Sequence, residues 1–277
     1  MNEFTTRSPK FGIIGGSGMC SFQELKKISE VRPITKYGLP SDDISVYEYE
    51  NQLIAFLPRH GSKHNIAPHK IPYKANIVAL KNMGVEYIIG TCIAGSLNKQ
   101  ITPGSIVLPD QFVNLTWGRD DYYEADGQSF IHLPMGEPYC AHLRDKILEV
   151  ADNISLPVIP QATVVVIQGP RFSTKSESEW FSKNGWDIVN MTQYPECYFA
   201  KELGICYASI ATITDYDIGL QKNLTIDPQN MAPILEIFRE NIRKTKTLLC
   251  AIIKESITKL SCSCANNVLK AYYEESL

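Results

Sequence analysis

The chain has 277 residues, 44% of them hydrophobic, with a net charge of -3. That is enough apolar material for one large core or two small ones. No basic stripe points to nucleic acid, no apolar run approaches a membrane span, and the opening MNEFTTRSPK lacks the apolar core of a signal peptide. A soluble, cytoplasmic protein is expected.

Strand-like and helix-like patterns alternate, which indicates an α/β fold. Residues 11–15 form a first strand running into Gly15-Gly16-Ser17-Gly18, and residues 52–57 a second ending at Arg59-His60-Gly61. A helix is expected over 70–81, then a strand over 86–91 leading into a loop at Cys92-Ile93-Ala94-Gly95-Ser96. Short strands follow at 105–108, 162–167 and 187–191. Helices follow at 139–150, 174–182, 196–203 and 232–256. The apolar run 204–213 reads as a buried parallel strand ending in ATITDYD. No linker or internal repeat divides the chain. Residues 1–277 are expected to form one domain, with 1–9 and 258–277 as peripheral tails. Most signatures fall just after strands, so their loops should gather along one rim of the sheet, where open α/β sheets bind ligands.

Those loops carry anion chemistry. Glycines 15, 16 and 18 let backbone N–H groups approach a phosphate, and Ser17 adds a hydroxyl. The spacing GIIGGSG is not a dinucleotide fingerprint, and a plain tight turn reads equally well. Arg59 can fork onto an oxyanion or pair at the surface, and His60 can donate to an anion or be structural. With the Thr192 hydroxyl, Ser17 and Arg59 would form a metal-free oxyanion pocket. Phe172, in QGPRFS, offers either a stacking face or a core ring. Asn190 and Met191 can lie under a sugar. Asp215 and Asp217 end the last strand at i, i+2 spacing and can hold or deliver a proton, although Asp is also common in turns.

The eight cysteines mostly sit in apolar runs. Cys262 and Cys264 stand apart as SCSC, but no second ligand pair is visible at zinc spacing, and His60, His64 and His69 are irregularly spaced. No metal is expected.

Read in order, GIIGGSG, PRHG, HxIxPHKIPYxANIxAL, AGSL, PGSIVLPDQF, QGPRFST, NMTxxPE, AKELGICYASIA and TDYD resemble the methylthioadenosine phosphorylases, in the trimeric branch of the purine nucleoside phosphorylases. The resemblance implies a three-layer α/β/α sandwich with a central twisted mixed sheet. It implies cleavage of 5'-methylthioadenosine by phosphate into adenine and 5-methylthioribose-1-phosphate, a salvage reaction. No cofactor is implied, phosphate being a co-substrate, and a homotrimer or a dimer of trimers is. Gly16, Ser17, Arg59, His60, Cys92, Ile93 and Thr192 match phosphate-binding positions. Ala94, Gly95, Asn190, Met191, Thr214, Phe172 and Ser173 match substrate-side positions. Asp215 and Asp217 match the carboxylates that face N7 and the 6-amino edge of the purine. His132 matches a residue reaching the alkylthio pocket from a neighbouring subunit.

Cys92 departs from the Ser or Thr usual in relatives; a thiol is a weak donor, which shifts the burden to backbone N–H groups. Residues 218–231 match poorly, with Leu224 and Ile226 as candidates for the 5' pocket. SCSC resembles a C-terminal Cys-x-Cys of some archaeal members, where it implies a disulfide or redox role; a reduced, flexible tail is expected here. Rival readings are a 6-oxopurine or methylthioinosine phosphorylase, a nucleosidase, and a catalytically silent nucleoside-binding protein.

Overall fold

The structure is a computed structural model that describes residues 8–19, 25–123, 132–220, 232–255 and 262–265. Among the described residues, eleven strands and five α-helices alternate. They are β1 (Phe11–Gly15), β2 (Lys26–Val31), β3 (Ile44–Tyr49), β4 (Gln52–Pro58), α1 (Tyr73–Asn82), β5 (Tyr87–Ser96), β6 (Ile106–Val107), β7 (Gln111–Leu115), α2 (Ala141–Asn153), β8 (Val158–Ile159), β9 (Thr163–Ile167), α3 (Lys175–Lys183), β10 (Ile188–Asn190), α4 (Gln193–Glu202), β11 (Cys206–Tyr216) and α5 (Ala232–Lys254). All strands join one mixed sheet. No described helix is long and apolar enough to cross a membrane.

The sheet is covered on both faces because its central strands carry apolar side chains on both of their faces, successive side chains pointing to opposite sides. Ile13, Ile54, Phe56, Ile89 and Ala208 pack into one core with Leu143 and Ile147 of α2 and Leu248 and Ile252 of α5. Their strand neighbours Ile14, Ala55, Leu57, Ile88 and Tyr207 enter a second core with Ile77 and Leu80 of α1 and Phe199 of α4. Two cores on opposite faces make the α/β/α sandwich. Helix α3 is fixed by a capping box. Thr174 Oγ1 accepts from the Glu177 amide, and the Glu177 carboxylate accepts from the Thr174 amide at 2.7 Å.

Strand β5 organises the sheet. One of its edges pairs in parallel with β11 along nearly its whole length. The other edge is shared. Its first half pairs in parallel with β1, from Phe11↔Tyr87 to Ile14↔Gly90, and its last two residues pair antiparallel with β10, at Val189↔Gly95 and Ile188↔Ser96. Between these contacts, residues 91–94 border the place where β1 leaves the sheet and β10 ends.

This differs from the expected layout in two ways. Cys92–Ser96 is strand rather than loop, because β11 continues alongside it. Strands β9 and β10 also run opposite to β5, so the loops do not share one rim of parallel strands. They meet around the middle of β5.

Candidate active site

The loop after β1 needs glycine for space. A Cβ at Gly16 would lie 2.5 Å from the Thr91 carbonyl oxygen and 3.1 Å from Arg59 Nη1. The Gly16 amide donates to Thr91 Oγ1 at 3.0 Å, which leaves the N–H and hydroxyl of Ser17 and the N–H of Gly18 as the loop's donors towards an anion. The Arg59 amide donates to the Gly15 carbonyl at 2.9 Å, which clamps the PRHG turn beside this loop.

Arg59 is 1% exposed, so the surface reading fails. Its fork is already occupied: Nε and Nη2 donate to the two carboxylate oxygens of Glu196 at 2.6 and 2.7 Å, and Nη1 donates to the Thr91 carbonyl at 2.7 Å. Glu196 is fully buried and also accepts from the Tyr207 hydroxyl at 2.7 Å. Burial alone would lower the guanidinium pKa, but the charge and hydrogen bonds of Glu196 overcome it and raise it. Three of five N–H groups are thus spent internally. The pair is close to neutral, and Arg59 can offer an anion two further N–H groups rather than a free fork.

His60 is mostly buried, and burial pushes its pKa down to about 4. Its Nδ1 lies 2.9 Å from the Ile66 carbonyl and must carry the proton to donate there. Nε2 of the neutral ring is therefore an acceptor. The ring can donate to an anion through Nε2 only when doubly protonated, a state that a bound dianion would favour.

In β5, Cys92 points inward rather than at an open anion site. Its Sγ accepts from Asn190 Nδ2 at 3.3 Å and from Gln193 Nε2 at 3.4 Å. Gln193 also donates to Ser209 Oγ at 2.7 Å and accepts from Tyr139 Oη. Ala94 packs in an apolar cluster with Val107, Val164 and Ile213, while Ile93 and Gly95 are half-buried. Thr192 is buried just before α4, whose first turn is broken by the extended backbone of Tyr194 (φ -106°, ψ 134°).

The base side is formed by β11 and the loop after β9. A bulge between Ile213 and Asp215 leaves Thr214 as the extra residue, so Asp215 rather than Thr214 pairs with Gly95. The Thr214 hydroxyl donates to Asp215 Oδ1 at 2.6 Å. Burial raises the Asp215 pKa, Thr214 opposes this, and the Asp217 charge adds to it. Burial also raises Asp217, against the nearby hydroxyls of Ser178 and Ser173. Among the described residues, Ser173 Oγ, Asn190 Oδ1 and Asp217 Oδ2 are buried without a well-formed hydrogen bond. Buried polar atoms are rarely left so. Three of them around residues 91–95 of β5 indicate a site built for a polar ligand.

Phe172 is 81% exposed, which excludes the core reading. Gly169, at φ +64°, sits where a Cβ would fall 2.6 Å from Met191 Sδ, so the QGPRFS loop presses closely on Met191. His132 is exposed. Leu224 and Ile226 lie outside the described residues. Cys262 and Cys264, expected in a free tail, instead pack half-buried against the core.

Arg119 carries no motif signal, yet it ties the site together. Nη2 donates to the carbonyls of Gln168 at 2.8 Å and Met191 at 2.9 Å, and Nη1 donates to the Tyr194 carbonyl at 2.6 Å. One side chain therefore fixes the backbone that carries Phe172, Met191 and Thr192. Neither Glu196 nor Arg119 carries a sequence signal of its role. Glu196 lies inside NMTxxPE, but its partner Arg59 is 137 residues away.

Residues 10–257 match the sequence model of the phosphorylase superfamily. The chain belongs to that superfamily. It is 42% identical over 264 residues to an S-methyl-5'-thioadenosine phosphorylase of Nitrosopumilus maritimus, covering 95% of this chain and 98% of the relative. It is 41% identical to one of Pyrococcus horikoshii, covering 96% and 99%. Among solved structures, methylthioadenosine phosphorylase from Schistosoma mansoni in complex with adenine superposes with a TM-score of 0.87 at 32% identity, covering 96% of this chain and 98% of that one. The Schistosoma structure shares the fold described above.

Proposed function

We propose that the chain catalyses phosphorolysis of S-methyl-5'-thioadenosine, releasing adenine and 5-methylthioribose-1-phosphate. The observation that carries this reading is the carboxylate pair Asp215 and Asp217 held against Gly95 at the end of β11, both with pKa raised by burial. The reading is supported by relatives about 40% identical over nearly the full length, which are S-methyl-5'-thioadenosine phosphorylases.

In this reading, phosphate is held by the Ser17–Gly18 segment, by the remaining N–H groups of Arg59, by His60 and by Thr192, with the backbone at Cys92 and Ile93. Ribose lies over Met191 and Asn190. A phosphate oxygen bonds to C1', the C1'–N9 bond breaks, and its electron pair passes to the purine. Protonated Asp215 donates to N7 and so stabilises that negative charge. Thr214 occupies Oδ1, which leaves the proton on Oδ2. Asp217 Oδ2 accepts from the 6-amino group, and Phe172 covers the ring. A homotrimer that supplies His132 across an interface is part of the proposal, as is a place in methionine and purine salvage. The exposed Trp117 and Ile34 are apolar surface that such an interface would cover.

The test is adenine release from methylthioadenosine with and without phosphate. Release should require phosphate and yield one sugar phosphate per adenine. Equal release in water would make the chain a nucleosidase. Faster cleavage of hypoxanthine nucleosides would make it a 6-oxopurine enzyme, and no cleavage of either would leave a silent binding protein.

A further inference from the structure

Four cysteines from three distant parts of the chain converge at the far end of β11 from Asp215. Cys140 immediately precedes α2, Cys206 opens β11, and Cys262 and Cys264 come from the C-terminal segment. All four sulfurs lie within 4.8 Å of one another, and Cys206 Sγ and Cys262 Sγ are 3.1 Å apart. Cys140 and Cys206 are buried and the other two half-buried.

We propose that Cys140, Cys206, Cys262 and Cys264 form a tetrathiolate site for a soft divalent ion, Zn²⁺ in the first instance. Zinc takes four thiolates tetrahedrally at about 2.3 Å, which sets sulfurs about 3.8 Å apart. The observed cluster brackets that spacing, so loading needs only small side-chain adjustments. Each sulfur has the other three as close neighbours, as one tetrahedral centre requires. Two disulfides would need only two separate pairs, each with its own dihedral geometry.

The surroundings suit negative charge. Cys140 occupies the N-cap position of α2, where the helix dipole favours a thiolate. Lys201, which lines the adjoining cleft with Cys140 and Cys264, places a cation beside a centre that would carry a net charge of about -2 when loaded. The bound ion would tie the C-terminal segment to the starts of α2 and β11. Its role is structural, since the site lies at the opposite end of β11 from Asp215.

The test uses the full chain, stripped of metal and kept reduced with a phosphine, and titrated with Co²⁺. One Co²⁺ should bind per chain, with strong thiolate-to-metal absorption and the visible bands of a tetrahedral cobalt–sulfur centre, and Zn²⁺ should displace it. Zn²⁺ should also raise the melting temperature of the wild type. Cys262→Ser with Cys264→Ser should abolish the absorption and the metal-dependent shift. Circular dichroism checks that this variant folds; if it does not, the wild-type cobalt titration decides. Absence of stoichiometric binding in the reduced protein would overturn the proposal. So would unchanged binding by the folded double variant, or protein isolated without reductant whose four sulfurs map to two disulfides and which carries no metal.

Discussion

Replacing Glu196 by Gln tests how the anion side of the site is held. Glu196 is fully buried, and Arg59 is 1% exposed. The wild-type carboxylate receives two N–H groups from Arg59 and the Tyr207 hydroxyl, all within 2.7 Å. Glutamine keeps the shape but removes the charge, and its amide turns a donor towards one of Arg59's donors. An uncompensated guanidinium then remains in the interior. Removing one member of a buried pair costs about 3–5 kcal/mol. At about 2–4 °C per kcal/mol for a chain approaching this size, the melting temperature should fall by about 6–20 °C. The melt is followed by circular dichroism in phosphate-free buffer, because a ligand of the native state would raise the midpoint. A companion variant, Arg59→Met with Glu196→Leu, should recover much of the loss while raising the KM for phosphate, since apolar groups can replace a buried pair. If Glu196→Gln melts within about 1 °C of wild type, the pair does not carry the load assigned to it.

Three further outcomes follow from the same geometry. Because Asp215 has a raised folded pKa, its ionisation destabilises the native state as pH rises above 3.8, fully so above the folded value. Asp215→Asn should therefore melt higher than wild type at neutral pH while losing about 10²-fold or more in adenine release; normal turnover would remove Asp215 from the chemistry. His60 titrates the other way: its folded pKa of about 4 lies below the ordinary 6.5, so the unfolded chain binds the extra proton. Stability should fall as pH drops from about 6.5 towards 4, less steeply in His60→Asn and less steeply with phosphate bound, and identical acid limbs in urea titrations would refute this. Arg119→Lys keeps the charge but loses the fork to three carbonyls. It should raise the nucleoside KM about tenfold, or about 1.4 kcal/mol, with little change in the KM for phosphate; an unchanged nucleoside KM would separate Arg119 from the site.

Much of the scaffold was legible because its central strands are apolar on both faces. The runs that became β1, β4, β5 and β11 stand out for that reason. Strand β2 did not, because all six of its residues are exposed and KKISEV carries no burial signal. The full length of β5 was hidden by Gly95 and Ser96, which read as loop but are held in the sheet by β10 and β11. Residue types at the site were readable, while partnerships were not. Arg59 announces an anion, but its bond to Glu196 arises only when β4 and α4 meet. The sulfur cluster was hidden in the same way, since Cys-x-Cys finds its second pair on α2's leading edge and on β11, the latter 56 residues away.

The bulge at Thr214 makes the proposed chemistry depend on counting. Ile213 stays in register with Ala94, and one inserted residue later Asp215 faces Gly95. Deleting Thr214 would leave the apolar part of β11 in place and keep Asp215 opposite Gly95, but it would remove the local kink that aims the acids and the hydroxyl that donates to Asp215 Oδ1. The base-facing end of this strand can thus be re-aimed by a single codon gained or lost, without disturbing the core beneath it. Descendants of such a scaffold have a short path between different bases, and an equally short one to silence.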